Sequence, residues 1–345
     1  MRPTTMRCER VRRARPLLGT LVEISLAGND ANALHNAASA AFEVIASVHE
    51  IMSFQSPDSD VSRLNNSAVG SAVQIDPRTW RVIQVANAIS WASGGAFDIA
   101  VGGEMMARGE LPVMASPMAD RAASYRDIEL LADSRVRMRR PLAIDVGGIA
   151  KGYAVDCAIK VLREMSVGAG CVNAGGDLRV FGDESVPVDV RDPLDPTVSG
   201  ARVRVRDSAF ATSANYPAGA GFDSAGVVLD PRGDAPVVGG RSASVRAKSC
   251  MIADALAKCV LLLEQGSAKL LQHYQADGFM LGRNGSVVID AELSATRSPA
   301  KTRFGGKTKL QSTSVAAARA VNSMSSQTAA NNVNLVDVDL AGRVQ

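Results

Sequence analysis

The sequence predicts an α+β fold in which mixed, largely antiparallel sheets pack against helices. Two observations carry this. Long amphipathic helical segments are interspersed with runs of short strands, without the strict βαβ alternation of a doubly wound sheet. At 345 residues, 46% hydrophobic and 21% charged, the chain also has enough apolar material for an ample core.

Residues 20–26 alternate in the manner of a half-buried strand, and Asn29 or Asp30 then caps an Ala-rich amphipathic helix that runs to about Met52. Residues 54–60 form a polar loop. Asp76-Pro77 opens a second helix, which carries Trp80, Val82, Ile83, Val85, Ile89 and Trp91 and stops at Gly94-Gly95. A Gly-bounded loop over 95–103 and an irregular excursion over 104–126, with Pro112 and Pro117, follow. Strands are expected at 128–131 and 136–138, then a short apolar strand ending at Asp145 and a helix over about 149–165. Two strands within 170–182 are joined through Asn173-Ala174-Gly175-Gly176-Asp177. Further strands are expected around 186–190, 201–206, 209–212, 225–229 and 242–247. A helix over 250–263, another through Leu270-Leu271, and a hairpin pairing 278–282 with 286–290 complete the order. Three regions result: a basic N-terminal tail (1–13), one domain (14–294) and a weakly ordered C-terminal tail (295–345) with one candidate helix near 314–324.

Composition excludes several classes. Aromatics, at 4%, are too few for a base-stacking surface, and a net charge of +3 implies no polyanion partner. The cluster Arg7, Arg10, Arg12, Arg13 and Arg15 reads as a solvated tail. No apolar run reaches membrane-span length and no secretory signal is evident, so a cytoplasmic protein without membrane or nucleic-acid partners is expected. The five cysteines (Cys8, Cys157, Cys171, Cys250, Cys259) are scattered and form no CxxC pair, which fits reduced thiols and disfavours a zinc site. His35, His49 and His273 lie on helices away from the glycine motifs. A hard ion with oxygen ligands, such as Mg²⁺, suits this chain better than a transition metal.

The most informative run is 143–156, Ala-Ile-Asp-Val-Gly-Gly-Ile-Ala-Lys-Gly-Tyr-Ala-Val-Asp. It concentrates a carboxylate (Asp145), bare backbone (Gly147, Gly148) and a cation (Lys151) at one helix N-terminus. First-turn N–H groups and the helix dipole favour anionic oxygens there, which suits a pyrophosphate. An ordinary strand–turn–helix with a solvated lysine fits the run equally well. Four acids stand near glycines or in apolar surroundings: Asp98, Asp145, Asp177 and Asp254. Caps or turns account for each of the first three taken singly. Asp254 resists that account, because it sits mid-helix in an apolar segment where an unpaired carboxylate is costly. Ser213 has neither a G-x-S-x-G context nor a nearby histidine, so strand-end hydrogen bonding explains it better than nucleophilic chemistry.

Taken in order, these segments resemble the flavin transferases of the ApbE type, FAD:protein FMN transferases. The series runs from Arg15-Pro16-Leu17-Leu18-Gly19-Thr20 through Ser59 and Asn65, Gly95–Asp98, the 145–156 run, Asn173–Asp177 and Ala211-Thr212-Ser213. It ends with Leu229-Asp230-Pro231-Arg232 and Ala253-Asp254-Ala255-Leu256-Ala257. The resemblance implies transfer of FMN from FAD to a threonine hydroxyl of an acceptor flavoprotein, with release of AMP and help from Mg²⁺. It implies flavin-dinucleotide contacts at Leu18 (usually Met), Ala96, Phe97, Asp98, Asp145, Lys151 and Val228. It assigns Gly148 and Asp254 to the metal; the candidate catalytic residues are Asp254 and Lys258. Two positions depart from the pattern. Lys258 stands where the family has a metal-ligating Thr; it neighbours Asp254 at i, i+4, and its ammonium is suited to standing in for the ion. Val227 stands where the family has a proton-exchanging His. An FAD-binding relative with reduced or no transfer activity is therefore the alternative, and hydrolysis of FAD to FMN and AMP is a third reading.

Overall fold

The computed structural model describes residues 8–113, 120, 122–216, 228–233, 239–282, 285–288, 296–297 and 338–339. Strand β1 (Glu9–Leu17) turns through Leu18-Gly19 into β2 (Thr20–Gly28), with Leu17 opposite Thr20. Both linking residues take positive φ (57° and 69°), as a two-residue hairpin requires. The arginines expected in a solvated tail are thus partly in a strand. Only Val11 of residues 9–13 is buried, while Arg10 pairs with Glu184 and Arg12 with Glu23, so the charges line the outer face.

Helix α1 (Ala31–Met52) begins where Asp30 accepts from the Asn32 and Ala33 N–H groups. It buries Leu34, Ala37, Ala38, Ala41, Phe42, Ile45, Val48 and Met52, a stripe at helical spacing whose alanines let a neighbouring helix approach closely. A short helix, α2 (Asp60–Asn65), occupies a place where no element is expected. After β3 (Ala72–Gln74), α3 (Pro77–Ala92) starts under its Asp76 cap with Pro at the first turn. Then come α4 (Gly102–Ala107), β4 (Ile128–Leu131), β5 (Arg135–Met138) and α5 (Ala150–Glu164).

The apolar strand expected before Asp145 is not a strand and has no sheet partner among the described residues. Its backbone is held otherwise. Asn65 donates to the Ile144 carbonyl at 2.9 Å and accepts from its N–H at 2.8 Å. The Asp145 N–H donates to the Ile99 carbonyl at 2.8 Å, and the Ala143 carbonyl accepts from Gly102 at 2.9 Å.

The second half supplies β6 (Ala169–Ala174), β7 (Asp177–Phe181), β8 (Ser185–Arg191), β9 (Ser199–Arg206), β10 (Ala209–Asn215) and β11 (Arg241–Ala247). Helices α6 (Cys250–Leu263) and α7 (Ala268–His273) precede β12 (Asp277–Gly282), β13 (Gly285–Val288), β14 (Thr296–Arg297) and β15 (Val338–Asp339). Residues 228 and 229 are not strand, and 225–227 lie outside the described residues. So does most of 295–345, including the expected helix near 314–324.

Among the described residues the strands form one sheet ordered β13-β12-β11-β10-β7-β6-β2-β1-β15 and two small ones, β14-β9-β8 and β3-β5-β4. Every pairing is antiparallel. Helices α1, α5 and α6 pack together, α6 lies on β10 and β11, and the main core fills that space. Leu178, Val180, Val203, Phe210 and Phe279 form a smaller core with β8 and β9. This is the α+β architecture expected.

Candidate active site

A cleft of about 440 Å³ opens where the N-terminus of α5, the middle of α6 and the end of β10 meet. Its floor is charged. Asp254 is 1% exposed, which for a carboxylate demands partners on both oxygens. Oδ1 takes a 2.6 Å ion pair from the Lys258 ammonium, one helical turn on, and Oδ2 accepts from the Gly152 N–H at 3.1 Å. The second contact ties α6 to the first turn of α5.

Lys151, in the same turn of α5, lies 3.2 Å from Asp177 Oδ2 and donates to the Gly147 carbonyl at 3.2 Å. The Asp254 carboxylate is the main influence that raises its pKa, followed in that direction by Asp177, so the ammonium stays charged across the working pH range. Burial pushes the Asp177 carboxyl up, the Asp254 charge adds to the rise, and both lysines oppose it. Burial also raises Asp145, whose Oδ1 accepts from the Gly147 N–H at 3.2 Å. Each ammonium has three N–H groups and commits two to these contacts, Lys258 giving its second to the Asp254 carbonyl at 3.1 Å. One donor on each remains for a ligand.

The walls come from loops that particular side chains hold in place. Asp98 accepts from the Ala100 N–H at 2.8 Å and from the Tyr125 N–H at 2.9 Å, which fixes the 96–100 loop beside the cleft. Burial still raises its pKa. Asn215 accepts from the Val228 N–H at 3.0 Å, so a β10 side chain holds the opposite wall.

The structure gathers Ala96, Phe97, Asp98, Asp145, Gly148, Lys151, Val228, Asp254 and Lys258 around this one cleft, along with Asp177 and Ser213. Leu18 is not among the lining residues. It turns the β1–β2 hairpin and packs on the main core, in a link so short that it needs positive φ at both positions. Val227 lies outside the described residues. Sequence reasoning missed Met105, Arg191 and Tyr216, which also line the cleft. Tyr216 lies three residues beyond the quoted Ala211-Thr212-Ser213 stretch, so proximity in sequence was an available signal. Arg191 ends a strand and carries no local signal at all.

The donor set does not fit a resident divalent ion. Both Asp254 oxygens are engaged, and the Lys258 stem lies against Gly148: a Cβ added to that glycine would sit 3.1 Å from Lys258 Cε. Among the described residues no three His, Cys, Asp or Glu side chains are grouped to hold a metal, and no helix is long and apolar enough to cross a membrane.

The ApbE family model matches residues 18–280. A FAD:protein FMN transferase of Rhodobacter capsulatus is 32% identical over 209 residues, which cover 55% of this chain and 39% of that protein. A FAD:protein FMN transferase of Klebsiella pneumoniae is 25% identical over 306 residues, 84% of this chain and 92% of that protein. Of solved structures, the ApbE protein of Thermotoga maritima superposes with a TM-score of 0.69 at 24% identity, covering 84% of this chain and 97% of its own. The flavin transferase ApbE of Vibrio cholerae gives 0.69 at 21% identity, covering 85% and 98%. These two likenesses establish the shared fold.

Proposed function

The chain belongs to the ApbE family, and we propose that it transfers the FMN moiety of FAD to a threonine hydroxyl of an acceptor flavoprotein, releasing AMP, in the cytoplasm. The observation that carries this reading is the convergence of Lys151, Lys258 and the α5 N-terminus on one cleft, with Ala96, Phe97 and Val228 on its walls. A dinucleotide has the matching parts: flat apolar rings for the walls and a diphosphate for the cations. The domain expected at 14–294 carries the activity.

In the reaction the acceptor oxygen bonds to the FMN-side phosphorus and the bridging P–O bond breaks towards AMP. The hydroxyl proton leaves with solvent or a cleft carboxylate. Charge grows on the departing phosphate, and fixed cations and helix-terminal N–H groups that need no reorganisation stabilise it. Asp254 and Asp177 hold those cations in position. Asp98 and Asn215 keep the walls at ligand spacing. Mg²⁺ enters none of these steps, because the residues present do not suit it.

The test is incubation of the purified protein with FAD and an acceptor domain bearing a target threonine. A covalent flavin mass shift on the acceptor, with AMP released in equal amount, is the expected result. AMP and free FMN without acceptor labelling would indicate hydrolysis instead. Intact FAD after long incubation, beside an active relative, would sink the transfer reading.

A further inference from the structure

We propose that Lys258 is the permanent cation of this site and that the protein binds its dinucleotide without a divalent metal, an inference that rests on the flavin-transfer reading. The ammonium lies 2.6 Å from Asp254 Oδ1 and 3.1 Å from the Asp254 carbonyl. It is anchored by the i, i+4 geometry of its own helix rather than by ligand. Asp254 is essentially sealed from solvent, and its other oxygen is taken by the Gly152 N–H. A metal ion on Oδ1 would have to share that oxygen with the ammonium already 2.6 Å from it.

The surroundings accommodate the lysine. Its Cε and Cδ pass 3.1 Å and 3.3 Å from where a Cβ on residue 148 would be, and Phe97 Cε2 is 3.3 Å from the same point. Glycine at 148 therefore leaves room for the stem of Lys258, and any larger residue would press on it. Three carboxylates (Asp145, Asp177, Asp254) face two ammoniums (Lys151, Lys258) around the floor. A dication added beside Lys258 would put two cationic centres against one buried oxygen pair, where low dielectric magnifies repulsion. The Lys258 ammonium supplies one positive charge and one uncommitted donor, which suits a diphosphate oxygen but forms no coordination bond.

The test measures binding in the full chain. FAD affinity is followed by flavin fluorescence, in EDTA and in millimolar Mg²⁺, and metal binding by titration with Mn²⁺ observed by electron paramagnetic resonance. For the wild-type protein we expect FAD affinity within about twofold in the two buffers and no stoichiometric Mn²⁺. Lys258→Thr should lose about tenfold or more in FAD affinity in EDTA, as expected when one partner of a buried charge pair is removed. It should recover with Mg²⁺ and bind Mn²⁺. Lys258→Gln, which keeps the stem, supplies the same comparison if the threonine variant does not fold. One Mn²⁺ per wild-type chain, displaced by Mg²⁺, would overturn the proposal, as would a wild-type FAD affinity that rises about tenfold with Mg²⁺. Failure to bind FAD in either buffer would reject the flavin reading instead, and the Mn²⁺ titration would still decide the cation.

Discussion

Gly152→Ala tests how tightly the seam between α5 and α6 defines the site. A Cβ at residue 152 would lie 2.3 Å from the Cys250 carbonyl oxygen, 2.6 Å from its carbon and 2.8 Å from Met251 Cα. All three atoms are backbone, so no side-chain rotation relieves the clash, and contacts near 3.5 Å require the helices to separate by about 1 Å. The same seam carries hydrogen bonds. Gly152 donates to Asp254 at 3.1 Å, while Cys250 and Met251 each donate to Asp156 at 3.0 Å. Two opposing energies decide the outcome. Alanine favours the helix by about 1 kcal/mol over glycine. Overpacking costs about 1–3 kcal/mol, and the stretched hydrogen bond from Gly152 to Asp254 forfeits about 1 kcal/mol. The clash wins, with a net loss of about 2 kcal/mol. For a domain of this size that lowers Tm by roughly 4–8 °C. Thermal unfolding by circular dichroism measures the loss, and flavin fluorescence measures the weakened FAD binding that should accompany it. Gly168→Ala is the control, since nothing lies within 4 Å of its added Cβ. A Gly152→Ala protein with wild-type Tm and wild-type FAD affinity would refute the idea that this contact sets the cleft.

Two further predictions concern the floor and the wall. Burial and the Asp254 charge raise the Asp177 carboxyl above its ordinary 3.8. Its contribution to stability is therefore complete below that ordinary value and is lost as pH rises through the raised one. Asp177→Asn removes this loss, so its Tm should fall less steeply than that of the wild type between about pH 4 and pH 8. Parallel Tm profiles for the two proteins would show that the carboxyl is not displaced. Asn215→Ala strips the Val228 N–H of its 3.0 Å partner and should cost about 1–3 kcal/mol of stability together with FAD affinity. Unchanged titrations of FAD fluorescence would mean that the Val228 backbone does not shape the binding wall.

Much of the fold was legible because it rests on local rules. The Asp30 and Asp76 caps, the Pro at the start of α3 and the apolar stripe of α1 all follow from residues within one or two turns of each other. What escaped depends on distant partners. The apolar run before Asp145 reads as a buried strand, yet a strand needs a neighbouring strand. Here Asn65, 79 residues away from Ile144, takes that place with one side chain. No periodicity reports such a clamp. The arginines at 10, 12 and 13 failed in the opposite direction. Their charge suggested solvent, whereas a β-strand can carry charge on one face provided acids such as Glu23 and Glu184 lie across from it. For the site, local spacing brings together the Lys258–Asp254 pair at i, i+4 and the Asp145-to-Lys151 run, whereas the meeting of these two groups with Asp98 and Asp177 depends on long-range packing that only the resemblance implied.

An excess of carboxylates is ill suited to the diphosphate proposed for this cleft, and their hydrogen bonds resolve the conflict. Asp254 gives its oxygens to Lys258 and the Gly152 N–H, Asp177 faces Lys151, and Asp98 is committed to two backbone amides. Each acid is turned towards a group that must be held still. The lysines present their remaining donors to the cleft, and without the acids both ammoniums would be free to swing out to water. Placement of positive charge, rather than its net amount, is what the floor supplies, and neutralising any of these acids should weaken anion binding even though it makes the site less negative.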